Sequence, residues 1–190
     1  MAHHVAVLVA MALVLGGCQK TKAVKEDRGK EAEMKTLQVT SAAFQPGKPI
    51  PTLHAYKGEG ENTSPPLSWS GAPAGTKTFA LIVDDPDAPS PKNPRPEPWV
   101  HWVLFNIPAE KTSLAAGESA GTPGQNDFKE RSWGGPMPPP GSGTHRYFFK
   151  VYALDAKLGL PVGTTKPEVV AAMKGHILAQ GELFGTYERN

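Results

Sequence analysis

The chain has 190 residues, among them twenty glycines, twenty prolines and one cysteine, and a formal net charge of +2. That length allows one domain with a real core, and the glycine and proline content favours a loop-rich, mostly β fold over a helical one. So small a charge, with no dense basic run, leaves no electrostatic footprint for nucleic acid, which is excluded as a partner.

Val5–Leu15 is an unbroken apolar run, too short to cross a bilayer and suited to the core of a signal peptide. It leads into Leu15-Gly-Gly-Cys18, whose order resembles a bacterial lipoprotein lipobox, although Met1-Ala-His-His carries no lysine or arginine. The expected organisation is a signal peptide over 1–17, then a lipidated Cys18 with a charged linker over 18–36, and a single domain over 37–190. Acyl chains on Cys18 would tether the protein to a membrane without a spanning helix. Gln19 after the cysteine, in place of aspartate, directs that expectation to the outer membrane, facing the periplasm. The linker, from Lys20 to Lys35, alternates in charge and has no apolar face to bury.

In the domain, Leu37–Phe44 reads as a strand by its loose alternation. Ser64-Pro-Pro-Leu-Ser-Trp69 reads as a loop entering a short edge strand, because paired prolines exclude a central one. Strands follow at 79–83, 100–107 and 146–154, with a long Gly/Pro-rich connection over 109–144 between the last two. Thr165-Lys-Pro-Glu168 predicts a capping box. The stripe Val169, Met173, Ile177 predicts a helix lying on the sheet, ending near Gly181, and Glu182–Tyr187 reads as a last short strand.

Alternation places His101, Val103, Phe105 and Ile107 on one face of their strand, and His145, Tyr147, Phe149, Val151 and Ala153 on one face of theirs. Each strand thus opens on a titratable group and continues into core. Asp85 and Asp87, in the turn after 79–83, are the natural carboxylate partners for the two histidines. Each signal also has a structural reading: a satisfied histidine, carboxylates capping a turn, a core tyrosine. Together they describe a pocket at a sheet end. Carboxylates would raise the histidine pKa values, and with the Tyr147 hydroxyl and glycine N–H groups the pocket would favour phosphate or carboxylate anions.

Several ordered motifs resemble the phosphatidylethanolamine-binding protein family and its bacterial Raf kinase inhibitor-like branch. They are Asp84-Asp-Pro-Asp-Ala-Pro89, Trp99-Val-His-Trp-Val-Leu-Phe-Asn-Ile-Pro108, Gly135-Pro-Met-Pro-Pro and Gly143-Thr-His-Arg-Tyr-Phe-Phe149. Ser64–Trp69, Asn126-Asp-Phe128, Tyr152–Asp155 and His176–Leu183 support them, so that the resemblance covers 37–190. It implies a mainly β fold: a central antiparallel sheet, a second smaller sheet packed on it, and a peripheral C-terminal helix. It also implies a non-catalytic pocket for phosphate head groups or similar small anions. The pocket residues carried over are Asp85, Pro89, Trp99, His101, His145 and Tyr147, with Gly135 beside them and Asp87 holding the turn. The resemblance implies a cis peptide just before the tryptophan, where Pro98 makes a cis Glu97–Pro98 bond cheap and a trans edge-entry proline is the alternative. The sequence departs from the pattern at Met137, where cysteine is common, at Trp133, where tyrosine is usual, and by an extra proline over 138–140. These changes bear on pocket size and ligand choice.

A hydrolase using Asp85, His101 and His145 as acid–base groups is the alternative, but it lacks a Gly-x-Ser-x-Gly elbow and a cysteine nucleophile. A metal held by the same residues would lack the close ligand spacing of zinc motifs. The sequence implies no catalytic residues, no metal and no cofactor. It leaves any protein partner unnamed.

Overall fold

The computed structural model describes Met1 and residues 35–190; the expected signal peptide, Cys18 and all but the last two residues of the linker lie outside the described residues. The elements in chain order are β1 (Lys35–Thr36), β2 (Gln38–Thr40), a 3₁₀ turn (Thr52–His54), β3 (Leu67–Ser70), β4 (Thr78–Asp85), β5 (Trp99–Pro108), β6 (Ser113–Leu114), β7 (Thr122–Pro123), β8 (His145–Leu154), α1 (Lys166–Met173) and β9 (Ile177–Tyr187). Six strands form one sheet in the order β1-β9-β8-β4-β5-β7, and three form a second in the order β2-β3-β6. All pairings are antiparallel except β1 with β9. This is the expected mainly β architecture.

The large sheet has core on both faces, which is why every residue of β4 is buried. Phe79, Leu81 and Val83 face one core with Phe149, Val151 and the small sheet's Val39, Leu67, Trp69 and Leu114. Ala80 and Ile82 face a second, with Val169 and Met173 of α1. Strands covered on both sides need continuous apolar runs, and β4 has one until Asp84.

Four expectations need correcting. First, β5 does not alternate evenly. Val83 pairs with Trp102 but Asp84 pairs with Val100, so His101 is an extra residue, and a second extra residue lies between Leu104 and Ile107. Asn106, at φ 55°, sits in that second β-bulge. Each bulge resets the alternation: Val103 and Phe105 turn to the helix-side core, while Trp102, Leu104 and Ile107 turn to the other. Second, β3 is the middle strand of its sheet, because Pro65 and Pro66 precede its first rung and cost no ladder bond. Third, the helix stops after Met173, where Gly175 takes φ 84°; only a glycine does this freely, and Ile177 opens β9. The capping box is present, with the Glu168 carboxylate accepting from the Thr165 N–H and O–H at 2.8 and 2.6 Å. Fourth, the first strand falls into two short pieces, and ordered pairing begins at Lys35, inside the expected linker.

Candidate functional site

The ends of β4, β5 and β8 meet at one edge of the large sheet and frame a cavity of about 390 Å³. Its walls include Asp85, Pro89, Trp99, His101, His145 and Tyr147. Six of the eight predicted pocket residues therefore converge there.

The two aspartates that end β4 go to opposite faces. Asp84 turns to the helix side, where Lys150 and Lys166 donate to it at 2.8 and 2.6 Å. Asp85 turns to the cavity and is 3% exposed. Its Oδ1 accepts the Asp87 N–H at 2.7 Å, and its Oδ2 accepts His145 Nδ1–H at 2.8 Å. That bond fixes the imidazole's orientation. Nε2 of His145 lies 3.1 Å from Ser142 Oγ.

His101 has a different partner. Its Nδ1–H donates to the Gly134 carbonyl at 2.6 Å, and its ring stands edge-on to Tyr147 at 5.0 Å. A carbonyl only accepts, so in the neutral ring Nε2 carries the lone pair, and Nε2 has no hydrogen-bond partner among the described residues. Burial pushes the His101 pKa below the usual 6.5, outweighing the Gly134 bond and the nearby Asp85, Asp84 and Asp127. The expected carboxylate partner that would raise it is absent at His101.

Two predicted residues do not line the cavity. Asp87 is taken by Arg146, whose backbone N–H, Nε and Nη2 donate to it at 2.9, 2.8 and 2.8 Å. The Arg146 guanidinium holds the Asp87 carboxyl below its ordinary range. Gly135 spends its N–H on Asn62 Oδ1 at 2.8 Å, so it offers no free donor. The cis peptide lies at Ala88–Pro89 and not at Glu97–Pro98.

The remaining donors are Tyr147 and Trp99. The Tyr147 side chain is fully buried, and its hydroxyl makes no hydrogen bond of ordinary geometry, although the Asp85 carboxylate stands beside it as an acceptor. Burial, then the adjacent Asp85, pushes its pKa far above the ordinary 10.0, so the O–H stays protonated. Trp99 Nε1 is likewise buried without a partner. Phe128 braces Trp99 at 5.4 Å, and the Arg95 guanidinium lies 5.0 Å over the Trp99 ring.

Sequence reasoning missed Ala88, Arg95, Phe128 and Arg189, which also line the cavity, together with Pro138 and Pro139 of the proline run. Phe128 was within reach: Asn126, 2% exposed, bonds the His101 and Ser132 carbonyls and the Glu130 N–H, pinning the turn that carries it. Arg189, the penultimate residue, reaches Glu59 and the Pro138 carbonyl, and no local pattern announces that.

The profile of the phosphatidylethanolamine-binding protein family matches residues 40–188. The chain belongs to that family. It is 44% identical over 160 residues to a UPF0098 protein of Methanothermobacter thermautotrophicus, covering 80% of this chain and 99% of the relative. It is 39% identical over 171 residues to the UPF0098 protein YbcL of Escherichia coli, covering 83% and 90%. Among solved structures, a phosphatidylethanolamine-binding protein homolog from Chlamydia trachomatis superposes with a TM-score of 0.74 at 39% identity, over 82% of this chain and 99% of that one. The crystal structure of YbcL gives 0.73 at 37%, over 81% and 99%. Of this chain's departures from the family pattern, Met137 lies at the cavity mouth, 41% exposed. Trp133 is instead core, its Nε1–H donating to the His54 carbonyl at 3.0 Å.

The His101 environment sets a pH dependence of stability in this family member. The folded pKa is depressed, so as pH falls through about 6.5 the unfolded chain takes the proton first and stability drops. Urea midpoints should fall between pH 7.5 and 5.5, and His101→Phe should lessen the fall. An unchanged slope in that variant would assign the dependence to other groups.

Proposed function

We propose that this chain is a non-catalytic binding protein whose cavity takes small anions, phosphate or a phospholipid head group, and that it acts as a regulatory module tethered to a membrane. The observation that carries this is the cavity of about 390 Å³ at the sheet end, where Trp99, His101, His145 and Tyr147 converge beside Asp85. His101 Nε2 has no hydrogen-bond partner among the described residues, and a buried polar group of that kind is costly unless a ligand or water answers it. Arg95 and Arg189 also line it, facing Asp127 at 3.4 Å and Glu59 at 2.9 Å. The tether is the lipidated Cys18, supported by the Val5–Leu15 run and the Leu15–Cys18 motif, at the outer membrane facing the periplasm. No cofactor, metal or nucleic acid belongs to this reading.

The test is a titration with phosphate, phosphoethanolamine and acetate, followed by histidine NMR shifts. Saturable shifts at His101 and His145 are expected. Shifts at neither histidine would refute anion binding in this cavity. For the tether, Cys18→Ser should move the protein from the membrane fraction to the soluble one; retention there would refute the lipid anchor.

One observation favours a second reading. Ser142, His145 and Asp85 form a hydrogen-bonded series at 3.1 and 2.8 Å, the connectivity of an acyl-transfer triad. Ser142 stands outside the cavity lining, which is why binding is preferred. Ester turnover abolished by Ser142→Ala and by His145→Ala would establish the hydrolase instead.

A further inference from the structure

The two arginines that line the cavity are held in different ways. Arg189 is clamped: its Nε–H donates to Glu59 at 2.9 Å and its Nη1–H to the Pro138 carbonyl at 3.2 Å. Arg95 is held loosely. One Nη1–H reaches Asp127 Oδ2 at 3.4 Å, longer than the ~2.7–2.9 Å of a good charge-assisted bond. A guanidinium carries several further N–H groups, and those of Arg95 have no partner among the described residues. The root of the side chain is fixed all the same. The Arg95 backbone N–H donates to the Ala88 carbonyl at 2.7 Å, and the guanidinium rests 5.0 Å over the Trp99 ring in the cavity wall.

We propose that Arg95 is the arm that grips the phosphate group of a ligand, and that Asp127 is its built-in competitor, so that binding exchanges one partner of the arginine for another. This rests on the anion-binding reading above and says how that site holds its anion and what attenuates it. A phosphate group offers the guanidinium fork two oxygens at once, against one long bond to Asp127. The Arg95 and Asp127 side chains are 41% and 28% exposed. Water therefore reaches both, and parting such a pair costs little.

Asp127 does not depend on the arginine for its own position. Its Oδ2 accepts the Val100 N–H at 3.0 Å, and its N–H donates to the Val100 carbonyl at 3.0 Å. The carboxylate thus stays beside β5 when the arm leaves it. The next residue, Phe128, braces Trp99 at 5.4 Å, so one short turn supplies both the competitor and the support of the ring on which the arm lies. An uncharged occupant would gain nothing from the arm and would leave the Arg95–Asp127 contact intact. Every anion has to outbid that contact, and Asp127 accordingly lowers the affinity for all of them.

Inorganic phosphate and phosphoethanolamine are the probes, titrated by calorimetry into the full chain and its variants at neutral pH and low salt. Arg95→Gln is expected to weaken both by about tenfold, with an unchanged urea midpoint. The arm grips the group common to the two probes, so both should lose alike, and whichever binds more tightly to the unaltered chain tells a head group from free phosphate. Asp127→Asn keeps an oxygen for the Val100 N–H and should tighten both probes by about threefold. In the double variant that gain should vanish, because no arm remains to be released. Unchanged affinity in Arg95→Gln, or a loss for one probe only, would overturn the arm while leaving anion binding standing. A gain from Asp127→Asn that persists without Arg95 would overturn the competition and assign the effect to simple charge repulsion. If Asp127→Asn does not fold, the Arg95 Nε–H resonance of the unaltered chain takes its place: it should shift on saturation with phosphate, and a resonance that stays put would overturn the exchange. If neither probe binds the unaltered chain, the anion-binding reading falls and this inference with it.

Discussion

Asp85→Ala is expected to destabilise the domain by about 2–6 kcal/mol, because two buried donors lose their acceptor at about 1–3 kcal/mol each. Both carboxylate oxygens are engaged, one by His145 Nδ1–H and one by the Asp87 N–H. The His145 side chain is wholly buried, so water does not replace the lost acceptor. Urea denaturation should show a lower midpoint with an unchanged slope, and anion titration should show no saturable binding in the fraction that remains folded. Asp87→Ala is the comparison. Its partner Arg146 is 51% exposed, so the guanidinium can return to water and the loss should be about 1 kcal/mol. A cost for Asp85→Ala no larger than for Asp87→Ala would show that the Asp85–His145 pair does not hold the sheet end together.

The second large effect is expected at Gly135→Ala. A Cβ there would stand 2.2 Å from the His54 carbonyl oxygen, 2.5 Å from the Ala55 carbonyl carbon and 2.6 Å from the Tyr56 nitrogen. All three are backbone atoms, so relief requires moving a chain segment and not merely turning a side chain. The segment that would move is tied here by the Tyr56 N–H bond to the Pro136 carbonyl at 3.0 Å, and Met137, Pro138 and Pro139 of the cavity wall follow directly. Overpacking of this kind costs about 1–3 kcal/mol, sometimes more, and should weaken ligand binding in step. Gly159→Ala, with nothing within 4 Å of the added carbon, is the control expected to be neutral. Wild-type stability and affinity in Gly135→Ala would refute the close approach.

The two predictions also show which parts of the site were legible. β8 alternates without interruption, so His145 and Tyr147 could be placed on the core side from spacing alone, and both are there. Asp85 follows from its place at the end of an apolar run. β5 misled, because a bulge has no period of its own. His101 reached the cavity through an inserted residue while the spacing argument grouped it with Val103 and Phe105, which face the other core. Asn106, a residue that tolerates positive φ, was the one local hint of the second bulge. Asp87 was carried over as the carboxylate holding the turn, and its bonds to Arg146 fit that, whereas Gly135 was carried over as a ligand group although its N–H is already spent on Asn62. Arg189 and Ser142 depend on tertiary placement alone. The helix end illustrates the reverse error: Met173 and Ile177 satisfy a helical spacing, and a glycine between them overrides it.

The bulge at His101 separates this position from the bookkeeping of the ladder. The rungs Val83–Trp102 and Asp84–Val100 close on either side of it, so no cross-strand partner constrains its side chain. The ring is held instead by the Gly134 carbonyl and by Phe128, Trp133 and Tyr147 around it. The sheet thus leaves one side chain at its mouth to be positioned by the loops that cover it and not by the ladder.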